Sequence, residues 1–143
     1  MKIWTAASIV ALAAAAASCG SASPGVTVTC SAVQAIAASG APGTVRIVQS
    51  VSFVDNASGS TQPLPLANAD VRIISPIPTS ATVCPGKCAA TDTFSADTKV
   101  TTDNDGLLIY TVQLVGGTTS QGSLIESFSG QSPAGCAVAF STS

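Results

Sequence analysis

The residues able to do chemistry in this chain are few, and their types narrow it sharply. There are five cysteines, at positions 19, 30, 84, 88 and 136, a single glutamate, Glu126, and no histidine. Without histidine, neither a Ser-His-Asp nor a Cys-His nucleophile can be assembled. The glycine patterns that cradle phosphates or form a nucleophile elbow are missing as well. A Glu126–Asp pair could in principle hydrolyse glycosides. A single glutamate is more simply read as a solvated residue on the outer face of a strand, where charge discourages edge pairing. Asp103 and Asp105 flank Asn104 ahead of Gly106. They crowd oxygen ligands into one loop, but the third alternating ligand and distant glutamate of a calcium loop are lacking, so a tight hairpin turn is expected. No catalytic residue, metal site or cofactor is expected. Few aromatics are present (Tyr110 and Phe53, Phe94, Phe128 and Phe140 after the N-terminal segment), too few for a sugar-stacking platform and better used as core.

Cys84-Pro85-Gly86-Lys87-Cys88 is the densest cysteine motif. Pro-Gly at its centre suits a type II turn, because proline presets φ and glycine accepts a positive one. The spacing of three between the cysteines differs from the two of a redox dithiol. A four-thiolate zinc site is possible on ligand number, but exported thiols oxidise. Structural disulfides are therefore expected among Cys30, Cys84, Cys88 and Cys136. Four cysteines allow three pairings and the sequence does not choose among them. The simplest is Cys84–Cys88 with Cys30–Cys136, which would tie the first strand to the last.

The fifth cysteine belongs with the N-terminus. Lys2 precedes an apolar run over residues 3–17, about the length of a signal-peptide core and short of the roughly 20 residues of a spanning helix. Ala16-Ala17-Ser18-Cys19 resembles the lipobox of bacterial lipoproteins, with Ala16 where that pattern prefers leucine. The resemblance implies cleavage before Cys19, acylation of Cys19 and an even set of four remaining thiols. It divides the chain into a signal peptide (1–18), a tether to the lipid (19–25) and one domain (26–143). Gly20 is not the aspartate that retains enteric lipoproteins at the inner membrane. An outer-membrane lipoprotein, facing the periplasm or the surface, is the implied location.

The mature chain carries four cations, Arg46, Arg72, Lys87 and Lys99, against seven acidic residues. Mild acidity argues against nucleic acid, which needs a basic footprint. Charged residues are 8% of the chain, against about 25% in average soluble domains. Serine, threonine, glycine and alanine take their place, a composition suited to an extracellular β-domain. The apolar residues alternate with a period of two. Val45, Ile47, Val51 and Phe53 form one face, with Gln49 as a break or bulge. Val71 and Ile73 form another, and Leu108, Tyr110, Val112 and Leu114 a third. Residues 124–128 and 136–140 read as two late strands, and 26–30 as the first. Residues 32–38 fit either a short helix or a continuation of that first strand. Turn clusters at 56–62, 75–80, 103–106, 116–122 and 130–135 separate these runs. The pattern is that of an all-β antiparallel sandwich of about seven strands.

Pro65-Leu66-Ala67-Asn68-Ala69-Asp70-Val71-Arg72-Ile73 resembles the strand entry of bacterial Ig-like domains. Thr101 to Gly106, followed by Leu108, Tyr110 and Val112, is similar to their next hairpin. Order and spacing are those of the group 1 modules of invasins and intimins, over most of the mature chain. The resemblance implies an Ig-like fold and a non-catalytic role in adhesion or protein–protein interaction. A subunit of a surface filament or an accessory of an envelope complex is the alternative. The expected partners are the membrane, through the lipid, and another envelope or extracellular protein; no small-molecule substrate is evident. The excursion over 76–90 departs most from the family pattern, so binding is expected at Pro85, Gly86 and Lys87.

Intact mass of the mature protein should show an N-terminus at Cys19 bearing more than one acyl chain, since a single chain anchors only marginally. A free Cys19 thiol, or an N-terminus elsewhere, would overturn this reading.

Overall fold

The computed structural model describes residues 25–38, 43–115, 120–129, 133 and 135–142. Cys19, the signal peptide and all of the tether but Gly25 lie outside the described residues. The fold is all-β. Among the described residues ten strands form two largely antiparallel sheets, and no helix is long and apolar enough to cross a membrane.

The first sheet is built on β3 (Gly43–Asp55), which pairs with β1 (Val26–Cys30) through residues 51–55 and with β8 (Leu107–Leu114) through 43–50. The two-residue β4 (Leu64–Pro65) adds to β3 at Ser52 and Phe53, and β6 (Ala81–Pro85) closes the far side against β8. The second sheet runs β2 (Ile36–Ala38), β10 (Ala137–Thr142), β9 (Ser120–Phe128), β5 (Asp70–Ile74), β7 (Asp97–Thr101). Its pairings are antiparallel except β2 with β10, which is parallel.

Period-two alternation drives both sheets. Ile47 and Val51 point inward from β3, Leu108, Tyr110, Val112 and Leu114 from β8, and Val71, Ile73, Leu124, Phe128, Val138 and Phe140 from the second sheet. These side chains form one buried cluster dominated by β-branched and leucine residues, which fill pleated surfaces well. Phe128 and Phe140 belong to that core, whereas Phe53 and Phe94 are only half-buried.

Several features differ from the sequence expectation. Gln49 neither breaks nor bulges β3; it pairs in register with Leu108, and its side chain lies fully buried on the same face as Ile47 and Val51. Residues 32–38 form neither a helix nor a continuation of β1: 32–35 have no regular structure, and 36–38 make β2 in the other sheet, where Ile36 adds its apolar side chain to the core beside Phe140. The turn cluster at 116–122 gives way to strand from Ser120. The excursion over 76–90 is not all loop, since Ala81, Val83 and Cys84 are buried on β6. The count rises from about seven strands to ten, the additions including short β2 and β4 and the polar β7.

Residues 103–106 do form a turn, but not a hairpin. The strands on either side, β7 and β8, lie in different sheets, so the turn carries the chain from one sheet to the other. The Asp103 carboxylate accepts from the backbone N–H groups of Asp105 (2.9 Å) and Leu107 (2.8 Å). Gly106 sits at φ +75°, and its carbonyl accepts from Val51 N–H at 2.8 Å. A Cβ there would meet the Val51 carbonyl oxygen at 2.7 Å, so both the conformation and the close approach demand glycine.

Two disulfides staple the fold, Cys30–Cys136 and Cys84–Cys88. Disulfides persist in oxidising compartments, which places the chain in an exported setting. The first joins the end of β1 in one sheet to the residue preceding β10 in the other, across 106 positions. The second closes a loop four positions long at the end of β6.

Loop-closure entropy assigns these bonds unequal weight, about 5 kcal/mol for the long loop and about 2 kcal/mol for the short one. Urea denaturation of C30S/C136S and C84S/C88S should reproduce that order, with the first pair losing clearly more stability.

Candidate functional site

Three places gather polar side chains. The first is interior. Glu126 stands on β9 between Leu124 and Phe128, on the core face, and is fully buried. This corrects the expectation of a solvated outer residue. Parity explains the difference: a strand that buries positions 124 and 128 must also bury 126. Tyr110 reaches across from β8 in the opposite sheet, and its hydroxyl donates to Glu126 Oε1 at 2.6 Å. The other oxygen, Oε2, is buried with no hydrogen-bond partner among the described residues. Burial raises the Glu126 carboxyl to about 7, offset in part by the Tyr110 hydrogen bond. Burial and the neighbouring carboxylate push the Tyr110 phenol far above its usual range. Gln49 enters the same region from β3. Its Nε2 donates to the carbonyls of Ser31 (2.7 Å) and Gly135 (3.2 Å), the residues next to Cys30 and Cys136. Its Oε1 is also buried and without a partner among the described residues. The Cys30 and Cys136 sulfurs and a Glu126 carboxylate oxygen all lie within 4.8 Å of one another.

The second place is the loop after β6. Cys84 is buried and Cys88 half-buried, while Pro85 and Lys87 are exposed. Gly86 takes φ +72°, as the Pro-Gly turn requires, and a Cβ there would meet nothing within 4 Å. The buried Thr111 of β8 holds the loop from beneath. Its hydroxyl donates to the Gly86 carbonyl at 2.8 Å and accepts from Cys88 N–H at 3.0 Å. Gly86 N–H donates to the Ile109 carbonyl at 3.0 Å. Downstream, Asp92 Oδ2 accepts from Ala89 N–H at 2.7 Å. The disulfide and these bonds leave the Pro85–Lys87 tip projecting from a fixed base.

The third place is an open groove of about 530 Å³ on the outer face of the second sheet, lined by Asp70, Arg72, Asp97, Lys99, Ser127 and Ser129. Arg72 and Lys99 face each other in the β5–β7 register, and each cation pairs diagonally with an acid of the other strand. Arg72 Nε donates to Asp97 Oδ1 at 2.8 Å, with a second contact between Arg72 Nη2 and Asp97 Oδ2. Lys99 Nζ lies 2.7 Å from Asp70 Oδ2. The hydrogen bonds hold Asp97 and Asp70 below the usual carboxylate range. Two cations and two anions cancel, so this face offers a ligand no net charge. It reads as a solvated edge stapled by cross-strand pairs.

The sequence pointed to the cysteines and to Pro85, Gly86 and Lys87, and the structure gathers these last three at one exposed tip. The candidate acylation site, Cys19, lies outside the described residues. Asp103 and Asp105 do not converge as a calcium loop; Asp103 spends its carboxylate on its own turn. Residue type alone does not mark Tyr110, Gln49 and Thr111 as polar participants, yet each anchors one of these places. For Gln49 the parity with Ile47 and Val51 was a usable signal. Nothing in the sequence brings Tyr110 to Glu126, because the two strands belong to different sheets. Comparison of the chain with protein-family models, with curated proteins and with solved structures returns no match.

The buried carboxyl carries a pH signature. Its pKa is raised on folding, so its protonated form stabilises the fold fully below about pH 4.5, and that contribution is lost as pH rises to about 7. At 1.36 kcal/mol per pKa unit the span is at most about 3 kcal/mol. Denaturation midpoints of the wild type should fall across that interval, and Glu126→Gln should flatten the profile.

Proposed function

We propose that this chain is an exported, lipid-anchored Ig-like module that binds another envelope or extracellular macromolecule through the Pro85–Lys87 tip. The anchor rests on Cys19 and its apolar leader. Strand order supports the Ig-like reading. The path β1-β3-β8-β6 is that of the A-B-E-D sheet of such domains, and β10-β9-β5 that of their G-F-C sheet. β2, parallel to β10, takes the place of a split first strand. The chain departs from the usual order in one respect. It visits β6 in the first sheet before returning to β7 at the edge of the second.

The observation that carries the binding role is the construction of the tip. An exposed proline and lysine are presented by a short cystine loop whose base is hydrogen-bonded to Thr111 and Ile109. Recognition loops gain from such prior ordering, because little conformational entropy remains to be lost on binding. A catalytic role lacks comparable support: the buried Glu126–Tyr110 pair is closed to solvent, and the outer charged residues on β5 and β7 neutralise one another.

Affinity capture from the native envelope, with the acylated protein as bait, tests the reading. Replacing Pro85 by serine and Lys87 by glutamate, with Gly86 retained for its positive φ, should leave secretion unchanged. The melting temperature should shift by no more than about 2 °C, as for exposed positions generally. Capture of the specific partner should weaken by about tenfold or more, equivalent to about 1.4 kcal/mol. Undiminished capture would move the binding site to the free edge of β1 or β2.

A further inference from the structure

Two cysteine sulfurs and a carboxylate oxygen gather in the interior cluster. Cys30 ends β1 of the first sheet, whereas Cys136 precedes β10 and Glu126 lies on β9 of the second. Three donors from two sheets thus stand within 4.8 Å of one another. Ligand atoms around tetrahedral zinc are separated by about 3.5 Å; the carboxylate oxygen lies near enough to share a cation with the two sulfurs, which are bonded to each other here and separate once reduced. Two further observations point to a ligand. Glu126 Oε2 is fully buried and unpartnered among the described residues, a costly state for a carboxyl oxygen. Gln49 Oε1, from the amide that binds beside both cysteines, is in the same condition.

We propose that Cys30, Cys136 and Glu126 form a redox-gated site for a thiophilic divalent cation such as zinc, closed by the disulfide and opened by its reduction. A thiol-based reductant supplies two electrons and two protons to the cystine, giving two thiols and leaving the reductant as its own disulfide. The cation then displaces to solvent the two thiol protons, and the carboxyl proton where Glu126 carries one, and is held by two thiolates and the Glu126 carboxylate. Gln49 Oε1, on the amide whose Nε2 binds beside both cysteines, would supply a neutral fourth ligand. Thiolate with carboxylate or amide oxygen suits zinc better than the hard cations magnesium and calcium. The cluster is held by more than the S–S bond. Gln49 Nε2 clamps the Ser31 and Gly135 carbonyls together, Glu126 N–H donates to the Cys136 carbonyl at 3.2 Å, and Ser31 N–H donates to the Ser50 carbonyl at 2.8 Å. Each cysteine segment is therefore held by its own sheet and by Gln49 after reduction.

Cobalt(II), a spectroscopic substitute for zinc, provides the test. In a chain carrying Cys19→Ser, Cys84→Ser and Cys88→Ser, only Cys30 and Cys136 remain. The reduced protein should take up one equivalent of cobalt, with thiolate charge-transfer and tetrahedral d–d bands that zinc displaces. The oxidised protein should show neither. Adding Glu126→Gln should weaken binding by about tenfold or more, and C30S/C136S should abolish it. Amide NMR dispersion reports on folding in the same samples; a reduced chain that has lost dispersion should regain it with cobalt. Equal cobalt affinity in the Glu126→Gln protein, octahedral bands without thiolate charge transfer, or binding that leaves the chain unfolded would overturn the proposal.

Discussion

The structure depends on how its two sheets are held together at the end where the core turns polar. Elsewhere the sheets meet through valine, isoleucine and leucine, whose attraction is strong but not directional. At this end the contacts are specific. The Cys30–Cys136 disulfide joins β1 to the start of β10, Tyr110 donates from β8 to Glu126 on β9, and Gln49 on β3 reaches the backbone beside both cysteines. Each crosses between sheets, and together they set the relative position of two surfaces that apolar packing alone would let slide. A buried polar group tolerates few alternative partners, so such contacts select one arrangement even where they add little net stability.

The same contacts create tension. A carboxyl group on a core face costs free energy unless it is protonated, hydrogen-bonded or bound to a cation. Tyr110 satisfies one oxygen of Glu126, and the other has no hydrogen-bond partner among the described residues. A domain of this size could have placed leucine at position 126 and gained apolar burial. Its use of glutamate beside a cystine, in a chain with so few charges, marks this as the least economical point of the interior. The Pro85–Lys87 tip is the converse case. There Thr111 holds the loop through two hydrogen bonds, the disulfide closes it, and Pro85 and Lys87 are exposed. Firm support beneath exposed side chains is what a recognition loop requires, whereas a buried carboxyl oxygen is what a ligand or a proton can stabilise.

Much of the architecture was legible in the chain. The alternation in β3, β5 and β8, the late strands and the turn at 103–106 are all period and punctuation, local properties that short segments express by themselves. The errors share a cause. By residue type Gln49 suggests an interruption and Glu126 a solvent-facing position, whereas parity places both inside. On a strand the backbone pleat decides the face, and a polar side chain goes where its neighbours at i − 2 and i + 2 take it. The polar β7 and the two-residue β4 give no hydrophobic signal, because edge strands need none.

By itself, then, the sequence determined the class of structure, its all-β character, the turn chemistry at Gly86 and Gly106 and the want of histidine chemistry. These follow from local rules that need no knowledge of the rest of the chain. Tertiary structure alone decided which strands share a sheet, that residues 103–106 join two sheets and do not close a hairpin, and that four thiols fall into these two pairs. It alone brought Tyr110, Gln49, Glu126 and the Cys30–Cys136 disulfide into one interior cluster. Such juxtapositions link positions as far apart as 106 residues, and they are set by the stacking of one sheet on another. No periodicity within a strand encodes that stacking, because a strand's pattern specifies which of its faces is buried and not what lies across from it.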